Sequence, residues 1–161
     1  MTGFLWFTEK TSKLMDIIAY TALTSIMLLT VTDVVLRRFF NAPIVGTYEI
    51  VGMLGAIVLG FGLPLSSWLR SLIYVDFIVK KFPQKGQDII NITTRIVVII
   101  VFLTIGYHMI QYGTELMVSR EVSMTRRIPF YPIAYGLAIS SFVQCLVHVV
   151  DIIKIFGGEY E

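Results

Sequence analysis

The chain has 161 residues, of which 56% are hydrophobic and 15% are charged. A soluble domain usually carries about a quarter charged residues, so this composition indicates an integral membrane protein. The formal net charge of +2 comes from dispersed basic residues, which excludes the concentrated basic patch of a nucleic-acid-binding protein. The sequence has no phosphate-binding loop, dinucleotide fingerprint, nucleophile elbow or metal-ligand spacing, so we expect neither an enzyme nor a cofactor in this chain.

Four apolar segments are each long enough to cross a bilayer as a helix, which takes about 20 residues. They cover residues 14–36, 44–65, 89–110 and 130–153. Backbone polar groups must be satisfied within the hydrocarbon, and no segment has the alternating pattern of a barrel strand. We therefore predict an all-α integral membrane protein, a single domain over residues 1–161 with four transmembrane helices.

Basic residues are distributed unequally between the two sides of the membrane. With four spans, the two termini and the middle loop share one side, and eight of the 13 Lys and Arg residues lie there against five opposite. The excess predicts that both termini are cytoplasmic. The eight residues are Lys10, Lys13, Arg70, Lys80, Lys81, Lys85, Arg95 and Lys154, and the five are Arg37, Arg38, Arg120, Arg126 and Arg127.

Two shorter segments have the composition of membrane-surface helices. Residues 4–7 are aromatic and apolar and precede Lys10 and Lys13, which is typical of an interfacial segment, with a frayed tail as the alternative. Residues 72–82 mix apolar and charged side chains and stop at Pro83. They are predicted to form an interfacial helix between spans two and three, or to continue span two into a partner protein.

Span two carries a row of small residues. Gly52, Ala56 and Gly60 recur every four positions, which puts them on one helix face where another helix can approach closely. Pro64, near the end of this span, is expected to kink or end the helix.

Ionisable residues are confined to the ends of the spans. Asp33 precedes Arg37 by four positions, which predicts an interfacial ion pair. Arg95 is close enough to the inner interface for its side chain to reach water. The middle of the spans has no ionisable residue of the kind that marks a transport path. The chain is therefore predicted to be a subunit that packs against something larger.

The two histidines could be haem ligands in a cytochrome b-like membrane anchor. His108 lies near the outer end of span three, whereas His148 lies near the inner end of span four. These positions differ by roughly 20 Å along the membrane normal. Two ligands of one iron lie about 4 Å apart, given metal–nitrogen bonds near 2 Å, so one haem cannot bridge these residues.

The loop between spans one and two is the most informative motif. Its sequence, Arg37-Arg38-Phe39-Phe40-Asn41-Ala42-Pro43-Ile44 followed by Glu49, resembles the first outer hairpin of the small membrane subunit of tripartite ATP-independent periplasmic (TRAP) transporters. Three further stretches resemble the same family in order and spacing. They are Gly60-Phe61-Gly62 with Arg70 and Tyr74-Val75-Asp76, then Gly106 with Gly113, and finally Ile128-Pro129-Phe130-Tyr131 to Tyr135.

Three positions depart from the family pattern. Gly46 stands where a tryptophan is usual, Tyr48 replaces one of two acidic residues, and Leu72 replaces a histidine. The family-like residues are expected at a subunit interface or in a structural role, as are the small residues of span two. The full set is Arg38, Asn41, Pro43, Glu49, Gly52, Ala56, Gly60, Arg70, Asp76 and Pro129. We also expect Arg38 and Glu49 to pair across the turn and to brace the first two spans.

The resemblance implies a division of labour among three proteins. A large membrane subunit would hold the substrate and sodium sites, and a periplasmic binding protein would deliver an organic acid such as a C4-dicarboxylate or sialic acid. This chain would be the scaffold for the large subunit in the bacterial inner membrane. The alternative is a stand-alone channel or homo-oligomeric transporter lined by the Thr and Ser residues of span one.

Overall fold

A computed structural model describes residues 2–69 and 84–156. They form four helices: α1 (Thr2–Phe40), α2 (Thr47–Trp68), α3 (Gln84–Ser119) and α4 (Tyr131–Phe156). Each helix overlaps one predicted span and is long and apolar enough to cross a membrane, and no strand occurs in the described ranges. The all-α class with four spanning helices is confirmed. Arg70, Asp76 and the expected interfacial helix at 72–82 lie outside the described residues.

The helices are longer than the apolar runs that predicted them. α1 contains 39 residues and is about 58 Å long, whereas the hydrocarbon core is about 30 Å thick. Residues 5–7 are the early turns of α1, so they belong to a helix continuous with the span and are not a frayed tail. Pro64 does not end α2, which continues to Trp68.

The helices pack in the order α1, α2, α4 and α3, with a smaller contact between α1 and α4. α4 is the central element, because 56% of its apolar stretch is buried, against 11% to 17% in the other three helices. Its small and β-branched residues, such as Ala134, Ala138 and Val147, let neighbouring helices approach closely. The other three helices therefore leave broad apolar faces uncovered by the described chain.

Close approach between helices depends on a few glycines. A Cβ added at Gly60 would overlap the Leu137 side chain, and the Gly60 carbonyl accepts a hydrogen bond from the Ser140 hydroxyl. Ala56 is half-buried, but a Cβ at Gly52 would meet nothing within 4 Å. The small-residue row thus contacts α4 at Gly60 and is open at Gly52.

Candidate functional site

The loop between α1 and α2 is fixed by Asp33, which is only 5% exposed. One carboxylate oxygen of Asp33 accepts a hydrogen bond from the Arg37 guanidinium at 2.7 Å, and the other accepts one from the Ile44 backbone N–H at 2.8 Å. The predicted Asp33–Arg37 ion pair is confirmed. The additional bond to Ile44 ties the end of α1 to the start of the segment that leads into α2.

Asn41 supplies the sharp reversal after α1. It has a φ of 49°, a left-handed conformation that Asn tolerates better than most residues. The chain then folds back so that the Ala42 N–H bonds to the Leu36 carbonyl, in the manner of a helix C-terminal cap. Pro43 lies in the exposed part of this loop. Asn41 therefore has a backbone role here.

Glu49 joins the two loops at this end of the protein. Its carboxylate accepts hydrogen bonds from the Ser123 hydroxyl, from the Thr125 N–H at 3.1 Å and from the Thr125 hydroxyl at 2.7 Å. The Arg126 Nε also donates to the Val45 carbonyl at 2.8 Å. We call these five residues the loop brace.

The expected pairing of Arg38 with Glu49 is wrong. No ion pair joins them within the described ranges, and Arg38 is exposed. The loop at 120–130 is close enough to satisfy the Glu49 carboxylate with neutral donors, which the first hairpin alone could not reveal. Glu49 thus braces α2 against the α3–α4 loop.

Gly46 fits the loop brace through its lack of a side chain. Its φ of 86° is readily adopted only by glycine, and a Cβ there would lie 2.8 Å from the Cγ atom of Arg126. The Arg126 stem therefore occupies the space that a side chain at position 46 would need.

The loop at 120–130 has its own internal framework. The Ser123 N–H bonds to the Ile128 carbonyl and the Arg127 N–H bonds to the Ser123 carbonyl, both at 2.9 Å. Pro129 lies opposite Val122 in an isolated antiparallel bridge. This arrangement presents Ser123 and Thr125 to Glu49, and it places Pro129 two residues before α4 begins.

A second polar group lies near the opposite end of the helices. The Arg95 guanidinium of α3 is 2.6 Å from the Asp151 carboxylate and 3.1 Å from Nδ1 of His148. The Gln144 amide contacts Nε2 of His148 at 3.1 Å and the Ser67 hydroxyl at 2.5 Å. These five residues, which we call the polar cluster, are all at most 6% exposed.

The polar cluster connects α2, α3 and α4. It also shows that the expectation that the Arg95 side chain reaches water is wrong. This side chain does not reach towards water but lies buried beside Asp151, because a charge inside an apolar bundle needs a partner. The sequence held one signal that could have located the cluster. Gln144, His148 and Asp151 recur at spacings of four and three, which places them on one face of α4.

The surroundings of His148 bear on haem ligation. Each of its ring nitrogens already faces a polar side chain, Arg95 on one side and Gln144 on the other. An iron could bind His148 only if one of these contacts broke. Among the described residues, no group of three or more His, Cys, Asp or Glu could hold a metal ion.

The hydroxyls of span one are directed at their own helix. They donate to backbone carbonyls three or four residues earlier, and these residues are exposed on α1. The residues are Thr21, Thr24, Ser25, Thr30 and Thr32. Such back-bonding uses the donor of each hydroxyl, so only the acceptor capacity of the oxygens is left to line a path for a solute.

Comparison with known proteins agrees with the motif resemblance. The family model described as "Tripartite ATP-independent periplasmic transporters, DctQ component" matches residues 26–158, which is most of the chain. A search of curated proteins gave no significant match. The match includes both loops of the loop brace and all five residues of the polar cluster.

Proposed function

Because the chain belongs to the DctQ family and is the small component of a TRAP transporter, we propose that it is the scaffold for the large membrane subunit. The transporter would lie in the bacterial inner membrane and couple sodium entry to uptake of an organic acid, such as a C4-dicarboxylate or sialic acid. The sodium and substrate sites would lie in the large subunit, and a periplasmic binding protein would deliver the solute. The family is one of transporter components and not of enzymes.

This proposal depends on one contrast: the buried polar side chains contact one another, whereas broad apolar faces of the helices are left uncovered. The polar cluster and the loop brace bind the helices to one another at both ends. α1, α2 and α3 bury only 11% to 17% of their apolar stretches. A fixed framework with apolar faces directed outward suits a subunit that holds a larger membrane protein in place.

The open part of α2 is the face that we assign to the large subunit. Gly52 is exposed, and a Cβ there would meet nothing within 4 Å. A glycine at this position lets a neighbouring helix approach closely, as small residues do at helix contacts within membranes.

Co-purification tests both the proposal and the face. The large subunit should co-purify with the native chain in mild detergent, and Gly52→Leu should reduce its recovery severalfold while the helix content stays unchanged. Gly62→Leu is the matched control, because Gly62 is also open but lies off the row of small residues. Absence of the large subunit from the native preparation would refute the scaffold proposal. Equal recovery of the large subunit with Gly52→Leu and with Gly62→Leu would refute the assignment of the Gly52 face to that subunit.

The rival function, a stand-alone channel or homo-oligomeric transporter, makes a different prediction. The purified chain alone would then move solute across liposomes. Since the hydroxyls of span one donate to their own helix, we expect no flux above that of empty vesicles.

A further inference from the structure

A cavity of about 560 Å³ lies between the last turns of α1 and the first turns of α2. This volume is in the range of about 300 to 1,000 Å³ that is typical of small-molecule sites. The loop brace and the small-residue face leave this cavity unused.

The cavity is polar at one end and apolar at the other. Arg37, Arg38 and Tyr48 line the end near the loops, whereas Val34 and Val51 line the middle with Thr30 at the far end. The buried side chains of Asp33 and Thr47 also line the cavity, and because Val34 is 58% exposed, the cavity is open along one side. Thr30 and Arg37 are seven residues apart on α1, which corresponds to about 10 Å along the helix. The Thr30 hydroxyl donates to the Ile26 carbonyl and so contributes little polarity. The cavity thus passes from cationic to apolar within two helical turns.

The charges at the cavity mouth do not cancel. Arg37 is paired with Asp33 at 2.7 Å. Arg38 has no ion pair with any part of the chain that the structure describes, and it is exposed beside Arg37. The mouth therefore carries one positive charge in excess, and it lies at the end of a membrane-spanning helix, where lipid headgroups are found.

We propose that this cavity binds one membrane phospholipid. The phosphodiester group bonds to Arg38, because guanidinium groups match phosphate oxygens well, and Arg37, which is already paired with Asp33, lies beside it. One acyl chain lies between Val34 and Val51. A free phosphate ion would pair with the excess positive charge but would leave Val34 and Val51 without an apolar contact. An apolar helix would contact these valines but would leave the charge unpaired. This inference needs only a membrane-spanning chain and does not rest on the scaffold proposal.

Native mass spectrometry of the full-length chain, in detergent with added phosphatidylglycerol, tests the proposal. We expect one retained lipid on the native protein and about tenfold weaker retention by Arg38→Gln, a loss that corresponds to about 1.4 kcal/mol, because the variant cannot make a charge-assisted bond to the phosphate. Val34→Phe should also reduce retention, because it fills the interior without changing the charge. Arg120→Gln is the matched control, because Arg120 is exposed at the same end but outside the cavity.

The source of the phosphate is tested in the same assay. Inorganic phosphate in large excess should leave the lipid bound, and full displacement by it would overturn the lipid assignment in favour of an anion site. Equal retention by the native chain and both cavity variants would also overturn it. So would loss of the lipid on assembly with the large subunit, because a protein segment would then occupy the cavity. Circular dichroism should show unchanged helix content in every variant.

Discussion

The ion pair in the polar cluster offers a sharp test of how the helices are held together. Arg95 and Asp151 lie 2.6 Å apart, and their side chains are 5% and 3% exposed. Asp151→Leu leaves the guanidinium buried without its carboxylate. Arg95→Met leaves the carboxylate without the guanidinium, and the double variant removes both charges.

The expected magnitudes follow from the cost of a buried charge. Removing one partner of a buried pair typically costs about 3 to 5 kcal/mol, so we expect either single variant to lower the free energy of unfolding by that amount. The double variant should cost only about 1 kcal/mol, mainly from the lost hydrogen bond between Arg95 and His148. Two charge deletions should therefore be less harmful together than either one alone.

Equilibrium unfolding in mixed micelles, followed by circular dichroism, measures these differences. If the pair were an ordinary interhelical contact in a membrane protein, each single variant would cost only about 0.6 kcal/mol. That result, or additive losses in the double variant, would refute the reasoning. Lys13→Leu is the control, because the Lys13–Glu9 pair is exposed and its loss should cost below about 1 kcal/mol.

Three further changes test other contacts. Gly60→Val should weaken packing of α2 on α4 and lower the unfolding midpoint, whereas Gly55→Val, at an open position, should have a much smaller effect. Glu49→Ala should speed amide hydrogen exchange in residues 120–130, because it removes the carboxylate to which Ser123 and Thr125 donate. Unchanged exchange would show that the loop brace does not stabilise this loop. Gly46→Ala should lower the unfolding midpoint, because alanine at a φ of 86° is strained and its Cβ meets Arg126; a midpoint equal to the native value would contradict this.

The four spans could be predicted because bilayer thickness fixes how long an apolar run must be. The helix ends were less predictable. α1 begins at Thr2, well before the apolar run, and α3 ends at Ser119, nine residues beyond the predicted end. Helical hydrogen bonding continues through polar residues outside the membrane core, where hydropathy carries no information about it.

Contacts within one helix were predictable, and contacts between helices were not. The spacing of Asp33 and Arg37 predicted their ion pair. Glu49 bonds to Thr125, 76 residues away, and Arg95 bonds to His148, 53 residues away. Such pairs depend on which helices are neighbours, and hydropathy does not specify the packing order.

The orientation of the chain stays a prediction and can be measured directly. Cysteines placed at Thr125 and at Glu9, in a Cys145→Ala background, should differ in their reaction with a membrane-impermeant maleimide on intact cells. If the termini are cytoplasmic, only the cysteine at position 125 should react. Reaction at position 9 alone would reverse the orientation.

Reconstituted transport tests the scaffold proposal most directly. The large subunit and the binding protein should be placed in liposomes with and without this chain, under an imposed sodium gradient. We predict that organic-acid uptake requires all three proteins, and that this chain alone gives no uptake. Full uptake without this chain, or uptake by this chain alone, would contradict its role as the scaffold of the transporter.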